Sequence, residues 1–281
     1  LGAEAADQLA RGQRPEEALA GQRRRLDGGQ IALPRRVLRR RARRRLLATL
    51  LLIFSGAAHA ETPRIAIIID DLGYHLSNGR RAIDLPGPVA VSFLPGTPRA
   101  RVLAEQAHKL GKDILLHLPL QAQLDDARAE PSEIHLDMSR QRVRHTIDDA
   151  LASVPHVVGI NSHRGSLLTR HPGHMQWVME EIRERENLFF IDSYTHHESV
   201  ALQIAKENGV AARKRDVFLD PDQSPEAVAR EFERMKALAR ERGQVIAIGH
   251  PHPATLELLE RELPALAGEG FELVSVRELM R

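Results

Sequence analysis

Seven short apolar runs between residues 65 and 250 each stop at an acid, a hydroxyl, a histidine or an amide. Ile65–Ile69 runs into Asp70-Asp71, Val89–Val91 into Ser92, and Ile114–Leu116 into His117. Val157–Ile160 leads to Asn161-Ser162-His163, and Leu188–Ile191 to Asp192-Ser193. Val217–Leu219 stops at Asp220 and Val245–Gly249 at His250. Runs this short and this rich in Ile and Val suit strands buried on both faces, as in parallel sheets. An eighth run, Phe271–Val276, has no functional group at its end.

Helical patterns fill most of the intervals. The spacing predicts helices over 76–83, 99–110 and 140–152, the last capped by Ser139 and closed by Pro155. Further helices are expected over 173–186, 199–208, 225–242 and 253–266, with Ser224-Pro225 opening the sixth and Gly243 closing it. Met175, Val178, Met179 and Ile182 share one face and read as core packing, as does Trp177. Alternating strands and helices require parallel pairing with right-handed crossovers. The expected fold is therefore α/β, a single-domain, closed or nearly closed (β/α) barrel of seven to eight mostly parallel strands, favoured over an open doubly wound sheet. Polar groups at the carboxyl ends of such strands mark the usual place of an active site.

Composition changes the picture mainly at the N-terminus. Eight arginines lie within Arg35–Arg45, followed by apolar Leu46–Phe54 and the small-residue stretch ending Ala58-His59-Ala60. This is the pattern of a signal peptide cleaved after Ala60, with an uncleaved membrane anchor as the competing reading. Residues 1–34 read as disordered, or as sequence foreign to the natural product. The expectation is export to the periplasm, with residues 61–281 as the mature domain. Residues 1–60 hold 13 Lys and Arg against 5 Asp and Glu, which leaves 27 basic and 33 acidic residues beyond them. The formal charge of that remainder is −6, so the basic character of the whole chain belongs to its leader and speaks for no nucleic-acid partner. No Gly-x-Gly-x-x-Gly or Gly-Lys-Ser/Thr motif offers a nucleotide site, no Gly-x-Ser-x-Gly elbow supports a serine hydrolase, and there is no cysteine.

The candidate chemistry centres on Asp70-Asp71. Two adjacent carboxylates in a dry pocket repel unless a proton or cation offsets them. One as metal ligand and one as general base is an economical division; a helix N-cap pair is the competing reading. His117, His163 and His250 occupy corresponding places, and two histidines with a carboxylate make a common catalytic zinc shell. Asn161, Ser162, Arg164 and Ser166 surround His163 with polar groups, and Gly165 permits close backbone approach, as in a binding loop. Asp192 and Ser193 are candidates to orient a catalytic group or substrate. Asp220-Pro221-Asp222 reads rather as a helix-initiating turn, and His196-His197 as part of a rim.

In order along the chain, Ile67–Gly73, Leu115–Pro119, Gly159–Ser166, Phe190–Ser193, Val217–Asp220 and Ile246–Pro251 resemble the divergent polysaccharide deacetylase family, over essentially Pro63 to the C-terminus. That resemblance implies a distorted (β/α) barrel related to carbohydrate esterases that remove N- or O-acetyl groups from glycans. It implies Asp70 as catalytic base, Asp71 as metal ligand and His250 as catalytic acid. Ordinary polysaccharide deacetylases carry two metal-binding histidines four residues apart; here Gln121 stands four beyond His117, so His163 is expected to replace the second. Arg164 stands where Met is usual and puts a cation near the pocket. The expected protein is a metal-dependent hydrolase, most simply a zinc enzyme, acting on an acetylated glycan, with possible cell-envelope association and no nucleotide. Its low aromatic content, 4%, favours a short oligosaccharide over a long stacked chain. The rival is a weakly active or inactive glycan-binding protein on the same barrel, motivated by the broken histidine pair; a phosphoester or amide hydrolase would use the same ligands.

Overall fold

Residues 61–123, 130 and 132–280 are described by the computed structural model, and every structural statement below concerns them. The chain divides into the units Leu1–His59 and Ala60–Arg281. The expected leader and cleavage site lie outside the described residues.

Each apolar run ending in a polar stop becomes a strand: β1 (Arg64–Leu72), β2 (Ala90–Phe93), β3 (Ile114–Leu120), β4 (Val157–Arg164), β5 (Phe189–Asp192), β7 (Val217–Phe218) and β8 (Gln244–Gly249). The helices between them are α1 (Leu76–Ile83), α2 (Ala100–Lys109), α3 (Arg140–Ser153), α4 (Pro172–Glu184), α5 (Ala201–Glu207), α6 (Pro225–Arg242) and α7 (Pro253–Glu262). Local chemistry sets several ends. The Ser139 hydroxyl accepts the Arg142 N–H to start α3, and Gly243, at φ 77°, ends α6 in the left-handed region.

With β6 (Ala212–Lys214) and β9 (Glu272–Leu273) added, all strands pair in parallel, in the order β6-β5-β4-β3-β2-β1-β8-β7, with β9 alongside the start of β1. Two strands differ from expectation. β6 carries no apolar run, because it pairs on one side only, with Ala212 and Arg213 half-buried and Lys214 exposed. The run Phe271–Val276 pairs over just two residues; beyond them Val274 and Val276 join the inner cluster.

The sheet curls into the expected distorted barrel, and its two ends are joined by one dipeptide. Arg215 donates its backbone N–H to Asp192 O of β5 at 2.9 Å, while the next residue, Asp216, donates to Ile246 O of β8 at 2.8 Å. Two cores result. The larger lies between sheet and helices and includes Ile65, Ile67, Ile69 and the predicted α4 stripe of Met175, Val178, Met179 and Ile182. The smaller fills the barrel with Ala66, Ile68, Ala90, Leu115, Phe189, Ile191, Ile246 and Ile248. Gly159 belongs to this inner layer: a Cβ there would stand 2.4 Å from the Phe189 ring, so β4 gives up a side chain where β5 contributes a large one.

Candidate active site

Strand parity aims the polar stops. Side chains alternate between faces with period two, so the inward set of the small core continues directly into the site. Ala66 and Ile68 are followed by Asp70, Ala90 by Ser92, and Leu115 by His117. Gly159 is followed by Asn161 and His163, Ile191 by Ser193, and Ile248 by His250. Asp71 has the wrong parity. A register shift between Ile69 and Leu72, with Asp71 at φ 58°, turns its carboxylate back to the mouth; aspartate tolerates that conformation better than most residues.

Three donor atoms meet there. Asp71 Oδ1 lies 3.2 Å from His117 Nε2 and 3.1 Å from His163 Nδ1, and the two nitrogens are 3.0 Å apart. Behind them, fully buried Asn161 joins four groups: Asp70, Ser92, His117 and the Ser193 hydroxyl, which accepts from its amide nitrogen at 3.4 Å. Its amide nitrogen donates to both oxygens of Asp70, at 2.8 and 3.0 Å, and its oxygen accepts the Ser92 hydroxyl at 2.5 Å and faces His117 Nδ1 at 3.1 Å. An amide oxygen only accepts, so His117 carries its proton on Nδ1 and a neutral ring presents a bare Nε2 lone pair. That lone pair faces a carboxylate oxygen and a second imidazole nitrogen. Asp71 Oδ1 is itself buried without a hydrogen-bond partner. Converging lone pairs repel unless a proton or a metal cation lies among them, and a ligand histidine whose other nitrogen donates to a fixed acceptor is the usual arrangement at metals. The donor set fits a divalent cation with nitrogen and oxygen preferences.

The remaining charges are arranged around this cluster. Burial drives the Asp70 carboxyl above its ordinary value, against the charges of His117 and His250. Burial works to raise Asp71 as well, but the adjoining His117 and His163 imidazoles outweigh it and hold this carboxyl far below the usual range. His250 Nδ1 pairs with Asp220 Oδ1 at 2.9 Å, and its Nε2 stands 3.7 Å from Asp71 Oδ2. Burial opposes its charge, yet the Asp220 bond and the charges of Asp70 and Asp71 push its pKa up to about 9. Asp220 is fixed in turn by the backbone N–H of His250 and the Thr255 hydroxyl, both at 2.7 Å.

A cavity of about 230 Å³ opens over the cluster. Among the sequence-predicted residues, Asp70, Asp71, His117, His163, His250, Ser162, Arg164 and Ser193 line it. Three expected substrate contacts do not. Asn161 lies beneath as the link just described. The Ser166 hydroxyl accepts the Gln123 N–H at 2.9 Å and ties two loops together. Asp192 accepts the Ser199 hydroxyl and the Tyr194 N–H, fixing the loop after β5. Gln121, at the place of the missing second histidine, turns away and accepts the Leu136 N–H. His196 and His197 stack on each other outside the cavity lining. Sequence reasoning passed over the service Asp220 gives to His250, and also the lining residues Thr195, Arg215 and Phe218. The signal for Asp220 was its place at the stop after β7, neighbour of β8; Arg215 had none, since it precedes the β7 run and follows β6, which shows no apolar run.

Residues 67–280 match the sequence model of the family described as divergent polysaccharide deacetylase. The chain is 40% identical over 198 residues to an uncharacterized protein, YibQ, of Escherichia coli K12, a match covering 70% of this chain and 61% of that protein, just under two thirds of its length. It is 36% identical over 234 residues to an uncharacterized protein of Haemophilus influenzae, covering 82% of each. Among solved structures, an uncharacterized protein of Agrobacterium tumefaciens C58 superposes with a TM-score of 0.75 at 23% identity, over 80% of this chain and 91% of that one, and shares the fold.

Proposed function

The chain belongs to the divergent polysaccharide deacetylase family, and on that premise we propose that it is a metal-dependent hydrolase removing acetyl groups from an N- or O-acetylated glycan. The observation that carries this reading is the meeting of Asp71 Oδ1, His117 Nε2 and His163 Nδ1 within 3.2 Å of one another, beside a second carboxylate and a histidine–aspartate pair. A divalent cation held by Asp71, His117 and His163, most simply zinc, would supply Lewis acidity toward the acyl oxygen and acidify water.

The chain's own groups divide the remaining work. Asp70, held by two N–H···O bonds from Asn161, has its carboxylate aimed at the mouth and accepts the proton of the attacking water. His250, kept charged by Asp220, donates a proton to the leaving nitrogen or oxygen. Phe218 and Ile248 form the apolar side of the cavity, suited to an acyl methyl group and to exclusion of bulk water. Expression with the leader pattern intact is expected to deliver the protein outside the inner membrane, where such glycans lie.

Metal analysis of the purified protein, followed by acetate release from N-acetylated and O-acetylated oligosaccharides, tests the reading. One divalent ion per chain is expected, with turnover lost on chelation and restored by zinc. Asp70→Asn is expected to retain the ion while kcat/KM falls by about 10²- to 10⁴-fold. A metal-free protein that binds glycan without releasing acetate would instead favour the inactive glycan-binding reading that Gln121 suggests.

A further inference from the structure

One cavity-lining charge takes no part in the acyl chemistry. Arg215 sits in the dipeptide that joins the sheet ends, and its guanidinium is held from three sides. Nε donates to Ser193 O at 2.7 Å, Nη2 donates to Tyr194 O at 3.2 Å, and the group lies over the Phe218 ring, 4.6 Å from its centroid. Its fixed partners are neutral carbonyls and a ring. Asp70, Asp192 and Asp220 act on it only at longer range, and among the described residues no carboxylate forms an ion pair with it. Arg185, also largely enclosed, is by contrast paired with Asp148 and Glu181.

A partly buried guanidinium loses hydration that neutral carbonyls restore incompletely, and a close anion would offset the loss. Its planar fork matches a carboxylate, and the carbonyl bonds and ring fix its plane in advance. Arg164 lines the same small cavity. With the carboxylates Asp70 and Asp71 facing the proposed cation, Arg215 brings a positive charge to the rest of the wall.

We propose that Arg215, with Arg164, forms a subsite for a carboxylate carried by the acylated sugar itself, so that the preferred glycan is anionic at the residue being hydrolysed. The cavity holds about 230 Å³, which confines the acidic group to the acylated sugar or its immediate linkage. This inference rests on the deacetylase reading for the acyl group but concerns a different part of the ligand.

Calorimetric titration of the metal-loaded full chain with N-acetylglucosamine and with its uronic acid, the same sugar oxidised at C6, tests it. The acid is expected to bind about tenfold more tightly, the worth of one good charge-assisted pair, with the advantage shrinking at high salt. Arg215→Gln is expected to erase that preference and Arg215→Lys to keep part of it. Circular dichroism establishes that the variants fold, and Arg164→Gln, expected to weaken the preference, serves if Arg215→Gln does not. Equal binding of the two sugars, or a preference that survives both glutamine variants, overturns the subsite and leaves Arg215 as a distant counter-charge for Asp70. Because binding is read without turnover, a protein that prefers the acid yet releases no acetate keeps the subsite and loses the hydrolase assignment; acetate release without the preference does the reverse.

Discussion

Replacing Asn161 with leucine removes the acceptor that fixes His117's proton and the donors that hold Asp70. The expected result is a zinc affinity lower by about 10- to 100-fold in a competition titration, since supporting partners of ligand histidines carry that much. Asn161→Asp retains size but sets a carboxylate against Asp70, and is expected to bind zinc less well than wild type and to lose acetate release. Asp220→Asn acts on the other side of the cavity. His250's pKa is raised from 6.5 to about 9, so its pairing stabilises the fold fully below about pH 6.5 and fades as pH rises toward 9. Asp220 lies below its ordinary 3.8, so its share is present above that value and fades under acid. Thermal unfolding of the chelated protein is therefore expected to separate wild type from Asp220→Asn most between about pH 4 and 6.5, the gap closing toward pH 9. Asp70, His117 and His163 were legible because each ends an apolar run on the parity that faces inward. Asp71's approach was legible only in outline, since its turn depends on a left-handed residue that no pattern announces. Asn161's role was hidden: an amide at a strand end looks like a substrate contact until its four partners are known.

At the level of strands and helices, β4 and β5 show how tightly the inner layer is fitted. Gly159→Ala adds a methyl group 2.4 Å from the Phe189 ring on a backbone held by neighbours on both sides. The expected cost is about 1–3 kcal/mol in urea unfolding, and pairing it with Phe189→Leu should return part of that loss. The helices were well delimited by sequence, because Ser139, Ser224-Pro225 and Gly243 are chemical signals of helix ends. Buried strands were equally plain. What escaped was β6, whose Arg213 and Lys214 belong to an edge exposed to solvent, and the shortening of β9, whose apolar residues plug the barrel instead of extending the ladder.

For the whole molecule, the order β6-β5-β4-β3-β2-β1-β8-β7 predicts a gradient of stability. Amides of β1, β3 and β8, paired on both sides or buried throughout, are expected to exchange with deuterium last, and those of β6 and β7 first. Uniform protection across the sheet would contradict that order. Barrel curvature and strand parallelism followed from the alternation of runs and helices; the closure through Arg215-Asp216 did not, because it depends on which amide reaches which edge. That closure has a further consequence. Terminal strands of three and two residues, joined to each other by the chain itself, leave hardly any free ladder for a second molecule to extend. A sheet rich in isoleucine and valine would otherwise be a ready template for intermolecular stacking. Here the short end strands, linked through Arg215-Asp216, present little edge for such stacking.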